Sequence, residues 1–203
     1  MNKQRQTIAI DIDDVLAAST EAIRLSINNK LGINLQPEHY KVAGEYWGYY
    51  EKIFEEHGIE DTGLVQDFHT AIVDDTVIIN PIEDAISSIG KLTKKYKIIF
   101  ITARETAMEK TTRKWFNTHF GSSDIELYFS NNRIDAEYKK KGELCVELGA
   151  SILIDDHPGH CQSAIDSGVE AILFGDYGWH TEVPEGAIRC KDWESVLKYL
   201  DGR

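Results

Sequence analysis

The chain has 203 residues and a formal net charge of -12, enough length for one good core with room for a small inserted subdomain. An acidic balance of that size excludes stable nucleic-acid binding and attachment to an anionic membrane, since both need a basic footprint. Cys145, Cys161 and Cys190 are odd in number and show no Cys-x-x-Cys spacing, which supports neither a disulfide framework nor a structural zinc site. Met1 to Gln6 leads straight into a strand and no long apolar run follows, so a cytoplasmic protein is expected.

The first predicted strand is Thr7-Ile8-Ala9-Ile10, followed by Asp11-Ile12-Asp13-Asp14-Val15. Side chains two positions apart share one side of an extended chain, so Asp11 and Asp13 can face a common site. Two carboxylates that close repel unless a positive charge lies between them. Mg2+ suits the place, because it takes a few carboxylate oxygens plus water and phosphate oxygens. A long helix-like stretch comes next, with Ile23, Ile27 and Leu31 on one face ahead of Gly32, and then six aromatics: Tyr40, Tyr46, Trp47, Tyr49, Tyr50 and Phe54. This division predicts a core of residues 1–16 and 81–203 and a helix-like inserted subdomain of 17–80.

Beyond Pro81, the spacing of Ile82, Ala85, Ile86, Ile89 and Leu92 predicts a buried helix face, with the proline in its first turn. Strands are predicted at 97–101, 125–129, 151–154 and 169–174, and helices around Met108, Trp115 and Phe116, around Leu144 and Leu148, and from a cap at Asp192 through Trp193, Val196, Leu197 and Leu200. His157-Pro158-Gly159-His160 and Gly175 to His180 read as turns or loops. Alternation of strands and helices predicts an α/β fold, a Rossmann-like doubly wound parallel sheet with five strands and that subdomain inserted after the first. Such sheets bind ligands at the carboxyl ends of their strands. There stand Asp11 and Asp13, then Thr102-Ala103-Arg104, then Asp155-Asp156, with Lys139-Lys140-Lys141 available to supply positive charge.

In that order on those elements, Asp11-x-Asp13-x-Val15, Thr102, Lys141 and Asp155-Asp156 resemble the four motifs of the haloacid dehalogenase superfamily of phosphohydrolases. The resemblance implies that Asp11 attacks phosphorus, that Asp13 protonates the departing oxygen, and that Thr102 and Lys141 hold the phosphoryl group. It further implies Mg2+ held by Asp11, the main-chain carbonyl of Asp13 and Asp155, with Asp156 orienting Lys141 or a bound water. Lys139 or Lys140 could take the place given to Lys141.

The insert resembles the small helical cap of one class in that superfamily. With Asp155-Asp156 and Arg189-Cys190-Lys191-Asp192-Trp193 it is similar to the 5'(3')-deoxyribonucleotidase family. The substrate so implied is a small phosphomonoester, a nucleoside monophosphate, contacted by Ala103, Arg104 and the cap aromatics Trp47 and Tyr46. Arg104 is nearer to the pattern of polynucleotide-type 3'-phosphatases, and a sugar phosphate is the other substrate class weighed; homodimerisation is left open. A receiver-like signalling domain needs a carboxylate at the end of its third strand, where Phe129-Ser130-Asn131 stands. A non-catalytic nucleotide binder is disfavoured because no member of the acidic set is missing.

Overall fold

The computed structural model describes residues 5–37, 54–60, 78–132, 137–180 and 182–202. Strand β1 (Thr7–Ile10) is buried along its whole length, as a strand covered on both faces must be. It lies at the middle of a seven-stranded sheet with β2 (Lys97–Glu105), β3 (Leu127–Asn132), β4 (Glu137–Tyr138), β5 (Ala150–Asp155), β6 (Glu170–Phe174) and β7 (Ile188–Cys190), in the order β4-β3-β2-β1-β5-β6-β7. All neighbours pair in parallel except β3 with β4. The order runs one way from β1 to β3 and the other way from β5 to β7. The reversal falls between β1 and β5, the kind of switch point at which a crevice opens at the strands' carboxyl ends.

Strand alternation decides which side chains meet which helix layer. Ile8 and Ile10 of β1 join Phe100, Ile152, Ile154 and Ile172 in one cluster, together with α2 (Ala85–Leu92), α3 (Glu109–Phe120) and α6 (Trp193–Asp201). Ala9, between them, points the other way and joins Ile99, Ile101, Leu153 and Leu173 under α4 (Lys141–Glu147) and α5 (Pro158–Asp166). Helix α1 (Ser19–Leu31) follows the first loop and ends at Gly32, whose φ of 66° is the left-handed closure expected there.

Three sequence expectations need correction. The sheet holds seven strands rather than five, because β4 and β7 have two and three residues and are too short to show a period of two. Strand β2 runs on to Glu105, and β3 starts at Leu127 because that residue pairs with Phe100. Pro81 does not open α2. It forms a bridge with Ala17, while Ala18 N donates to Asn80 O at 2.9 Å and Ile82 N to Leu16 O at 2.8 Å. Those bonds hold 80–82 extended, so the helix waits until Ala85.

Candidate active site

The backbone leaving β1 supplies the first part of the site. Asp11 N donates to Ile154 O at 2.9 Å, so β1 stays zipped to β5 for one residue more. The chain then curls, with Leu16 N and Ala17 N both donating to Ile12 O at 2.9 Å. Asp14 takes a left-handed φ of 55°, a conformation that costs a non-glycine residue energy unless its surroundings over-determine it. Here Thr20 N and Oγ1 donate to its carboxylate at 3.0 and 2.6 Å, and the Tyr177 hydroxyl donates to its carbonyl at 2.6 Å. The curl keeps Asp11 buried and leaves the side chain of Asp13 one quarter exposed.

Strand β2 brings the next group. Thr102 is fully buried, and its Oγ1 accepts from Arg104 N at 3.1 Å. Ala103 is exposed. Arg104 is turned toward β1: its Nε donates to Asp13 Oδ2 at 2.8 Å and an Nη to Asp13 Oδ1 at 2.6 Å, while the other Nη donates to Thr112 Oγ1 at 2.9 Å. The Ser19 hydroxyl also donates to Asp13 Oδ1. The residue expected to touch substrate is therefore engaged with a carboxylate of the first loop.

Lys141 opens α4 and is 1% exposed, with Nζ 2.9 Å from Asp11 Oδ1 and 2.7 Å from Asp155 Oδ2. Its neighbours in the lysine run behave differently: Lys139 pairs with Glu147 at the surface, and Lys140 is exposed at the helix start. Asp155, not Asp156, holds the ammonium, because consecutive side chains at the end of β5 point to opposite sides. Asp155 Oδ1 accepts from His157 N at 2.9 Å and lies 3.1 Å from His160 Nδ1. Asp156 Oδ2 instead accepts from Trp179 Nε1 at 2.9 Å, and His180 Nε2 lies 2.6 Å from the carbonyl of Asp156.

Charge and burial shift these groups in different directions. Burial drives the Asp11 carboxyl up, Lys141 opposes it, and Asp155 and Asp13 add to the rise, leaving it at about 6. For Asp13 and Asp155 burial also acts upward, but the adjacent cations win. Arg104 holds Asp13 below the usual carboxylate range, and Lys141, then His160, hold Asp155 well below it. Burial lowers the Lys141 ammonium, yet Asp11 and Asp155 keep it well above its ordinary value, so it stays charged. Burial and the charges of Asp155, Asp11 and Asp14 raise Asp156 well above normal.

The arrangement fits a divalent cation. One donor atom from each of Asp11, Asp155 and His160 lies within 4.8 Å of the other two. Asp11 Oδ1 is buried without a hydrogen-bond partner, although the ammonium sits beside it. Asp11 and Asp155, both buried, together outweigh the one positive charge of Lys141. That excess of negative charge beside a His nitrogen and carboxylate oxygens suits a divalent cation.

Several residues that build the site were read from the sequence as plain loop or helix. Ser19 and Thr112 anchor Asp13 and Arg104, His160 reaches back to Asp155, and the 175–180 loop packs Tyr177 on Trp179 at 4.4 Å and 8° beside Asp14 and Asp156. The available signal was the crowding of aromatics just past the carboxyl end of β6. Tyr46 and Trp47, expected to contact substrate, lie outside the described residues.

No family model matches the chain. A curated relative, "Putative nucleotidase YqfW" of Bacillus subtilis (strain 168), is 25% identical over 122 residues, which cover 59% of this chain and 58% of the relative. The aligned region thus spans less than two thirds of the relative's own length. Among solved structures, the putative HAD-hydrolase YfnB from Bacillus subtilis bound to magnesium superposes with a TM-score of 0.65 at 13% identity, covering 98% of this chain and 100% of that one. A predicted phosphoglycolate phosphatase from Haemophilus somnus 129PT gives a TM-score of 0.67 at 16% identity, with the same coverage. Among the described residues no helix is long and apolar enough to cross a membrane. The chain has the haloacid dehalogenase fold, and over 59% of its length it resembles in sequence a protein named as a nucleotidase.

Proposed function

We propose that this protein hydrolyses small phosphomonoesters through an aspartyl-phosphate enzyme, with nucleoside monophosphates as its substrate class. The observation that carries the reading is Lys141, buried between Asp11 at 2.9 Å and Asp155 at 2.7 Å at the sheet's switch point. A desolvated ammonium held there lies ready to balance a phosphoryl group whose equatorial oxygens bear the charge. The fold by itself selects no reaction, so the argument rests on these side chains.

Asp11 is the nucleophile: one of its oxygens bonds to phosphorus as the ester oxygen leaves, dividing the displacement into two easier steps. Asp13 gives the leaving oxygen a proton and then takes one from the water that attacks the aspartyl phosphate. The Thr102 hydroxyl, fixed by Arg104 N, donates to a phosphoryl oxygen, and the exposed Ala103 lies next to it on the rim. A bound Mg2+ screens the negative charge that otherwise keeps phosphate from a carboxylate. The residues to hold it are Asp11, the Asp13 carbonyl and Asp155, while Asp156 is bonded to Trp179.

The nucleotide part of the proposal draws on the resemblance to a protein named as a nucleotidase and on the aromatic content of residues 40–54, since a flat ring can stack on any base. Residues 17–80 are proposed as a cap over the site. The points where this stretch leaves and rejoins the core are hydrogen-bonded side by side through Ala18 and Asn80, as an inserted lid requires.

The test is phosphate release from an aryl phosphate by wild type and Asp11→Asn, with Mg2+ and with EDTA. Loss of at least about 10³-fold in the variant is expected; equal rates remove Asp11 as nucleophile. A panel of nucleoside monophosphates and sugar phosphates then tests the substrate class, and flat or sugar-directed activity rejects the nucleotide assignment.

A further inference from the structure

Arg104 lies beside the site and is bonded to one of its carboxylates. Its side chain is 6% exposed, and three of its N–H donors go to Asp13 Oδ2 at 2.8 Å, Asp13 Oδ1 at 2.6 Å and the buried Thr112 Oγ1 at 2.9 Å. Two parallel bonds to one carboxylate use the guanidinium's rigid fork, which fixes the plane of the acid as well as its distance. Ser19 adds a third donor, to Oδ1. An ionised carboxylate offers about four acceptor positions. Arg104 takes one on each oxygen and Ser19 takes the second on Oδ1, which leaves one on Oδ2.

We propose that Arg104 is a positioning residue: with Ser19 and Thr112 it locks the Asp13 carboxyl in one orientation and restricts proton traffic to a single position on Oδ2. This rests on the phosphomonoesterase reading given above. In the first half-reaction an Asp11 oxygen bonds to phosphorus, the bond from phosphorus to the leaving oxygen breaks, and a proton that Asp13, ionised beside Arg104, has taken up on Oδ2 from the substrate's monoanion moves to that oxygen. In the second, a water oxygen bonds to phosphorus, the bond to Asp11 breaks, and the proton shed by the water returns to Oδ2. The phosphate leaves with that proton, so the ester monoanion and water have become alcohol and phosphate monoanion, and Asp13 is again ionised.

Both oxygens of Asp13 are held, so its carboxyl cannot rotate to present the other oxygen or a different lone pair. A lysine at 104 supplies the charge without the fork, and holds the acid at one point rather than two. The competing role for Arg104 is a direct grip on the substrate's phosphate through N–H donors other than the three that hold Asp13 and Thr112.

Leaving-group dependence separates the two roles. Departure of 2,4-dinitrophenolate needs no proton, whereas departure from phenyl phosphate does, and kcat/KM reports the step in which either group leaves. Wild type, Arg104→Ala, Arg104→Lys and Thr112→Val are compared on both esters, with inorganic phosphate as competitive inhibitor. For Arg104→Ala we expect kcat/KM to fall about 10²-fold on phenyl phosphate and less than about 3-fold on the dinitrophenyl ester, with the lysine variant in between. Inhibition by phosphate should stay within about 3-fold of wild type, because the phosphate's own contacts are untouched.

Equal losses on the two esters, or phosphate inhibition that weakens in step with kcat/KM, overturn the proposal. If Arg104→Ala fails to give a cooperative melting transition, Thr112→Val carries the test. Removing the third anchor should then cost the phenyl ester about 3- to 10-fold more than the dinitrophenyl ester, and an unchanged ratio overturns the proposal. Failure of the underlying reading looks different: wild type then releases no phosphate from either ester, or Asp11→Asn is as active as wild type.

Discussion

Gly142→Ala tests how closely the site depends on helix packing. A Cβ built at Gly142 stands 2.0 Å from the carbonyl oxygen of Ser163, 2.5 Å from its carbonyl carbon and 2.8 Å from Ala164 N. All three are backbone atoms inside α5, so no side-chain rotation relieves the contact. Reaching an ordinary contact of 3.4 Å requires α4 and α5 to part by about 1.4 Å, and overpacking of this kind costs about 1–3 kcal/mol. The shift also acts on the adjacent Lys141. Carrying its Nζ from 2.7 Å to about 4 Å from Asp155 weakens that pair by about 2 kcal/mol at an effective dielectric near 20. Together these predict a loss of about 3–5 kcal/mol, or about 6–20 °C in melting temperature for a domain of this size. A misplacement of 1 Å near reacting groups can lower turnover about 10²-fold. Urea denaturation and kcat/KM measure the two effects. The control is Gly90→Ala in α2, where the added Cβ meets nothing within 4 Å, so helix propensity should raise stability by up to about 1 kcal/mol. Opposite signs for the two substitutions are expected; a Gly142→Ala protein within about 0.5 kcal/mol of wild type refutes the packing argument.

Lys141→Met leaves two buried carboxylates without their ammonium, so urea denaturation in EDTA should show a loss of about 3–5 kcal/mol. Millimolar Mg2+ should restore part of it, and unchanged stability in EDTA contradicts the proposed charge balance. His157 caps α5 by accepting from Gly159 N, and burial lowers its pKa to about 4. The unfolded chain then binds the extra proton first, so this residue's contribution is complete above about pH 6.5 and is lost as pH falls toward 4. His157→Asn keeps a capping oxygen without the titration. Between pH 7.5 and 5 it should lose about 1–2 kcal/mol less than wild type, after a discount for screening, and identical pH slopes rule out the linkage. Trp179→Phe removes the donor to Asp156 Oδ2 and should cost about 1–3 kcal/mol by leaving a buried acceptor unmet, read from the urea midpoint.

The parts legible in the sequence are those with a local signature. The carboxylates after β1 and β5 follow apolar runs, and the doubly wound sheet follows from alternation of strands and helices, so their common edge could be inferred without knowing any contact. Of the three lysines in the run, Lys141 is the one that opens α4 and whose side chain is buried. The split between Asp155 and Asp156 was less accessible. Which of two adjacent acids meets the ammonium depends on which face of the sheet α4 covers, and that is set by packing of Leu144 and Cys145 on the far layer.

Arg104 shows why the remainder could not be read. Its partner Asp13 is 91 residues away, and the third anchor, Thr112, lies on the helix after β2, eight residues on. An arginine beside the threonine proposed to bind phosphate invites the assignment of substrate contact, because local order cannot reveal that β1 and β2 are neighbours whose loops meet. Once parallel pairing of Ile10 with Phe100 sets the register, the side chain four residues past Phe100 meets the acid three residues past Ile10. The same logic explains the 175–180 loop: Tyr177 reaches Asp14 across 163 residues because β6 and β1 both abut β5. Positions that touch the reacting groups are thus announced by residue type, whereas positions that aim those groups are announced only by strand order and register. An aiming role is therefore the one to expect for a polar side chain that is buried, multiply bonded and bound to a proposed catalytic residue, and in this chain Arg104 meets all three conditions.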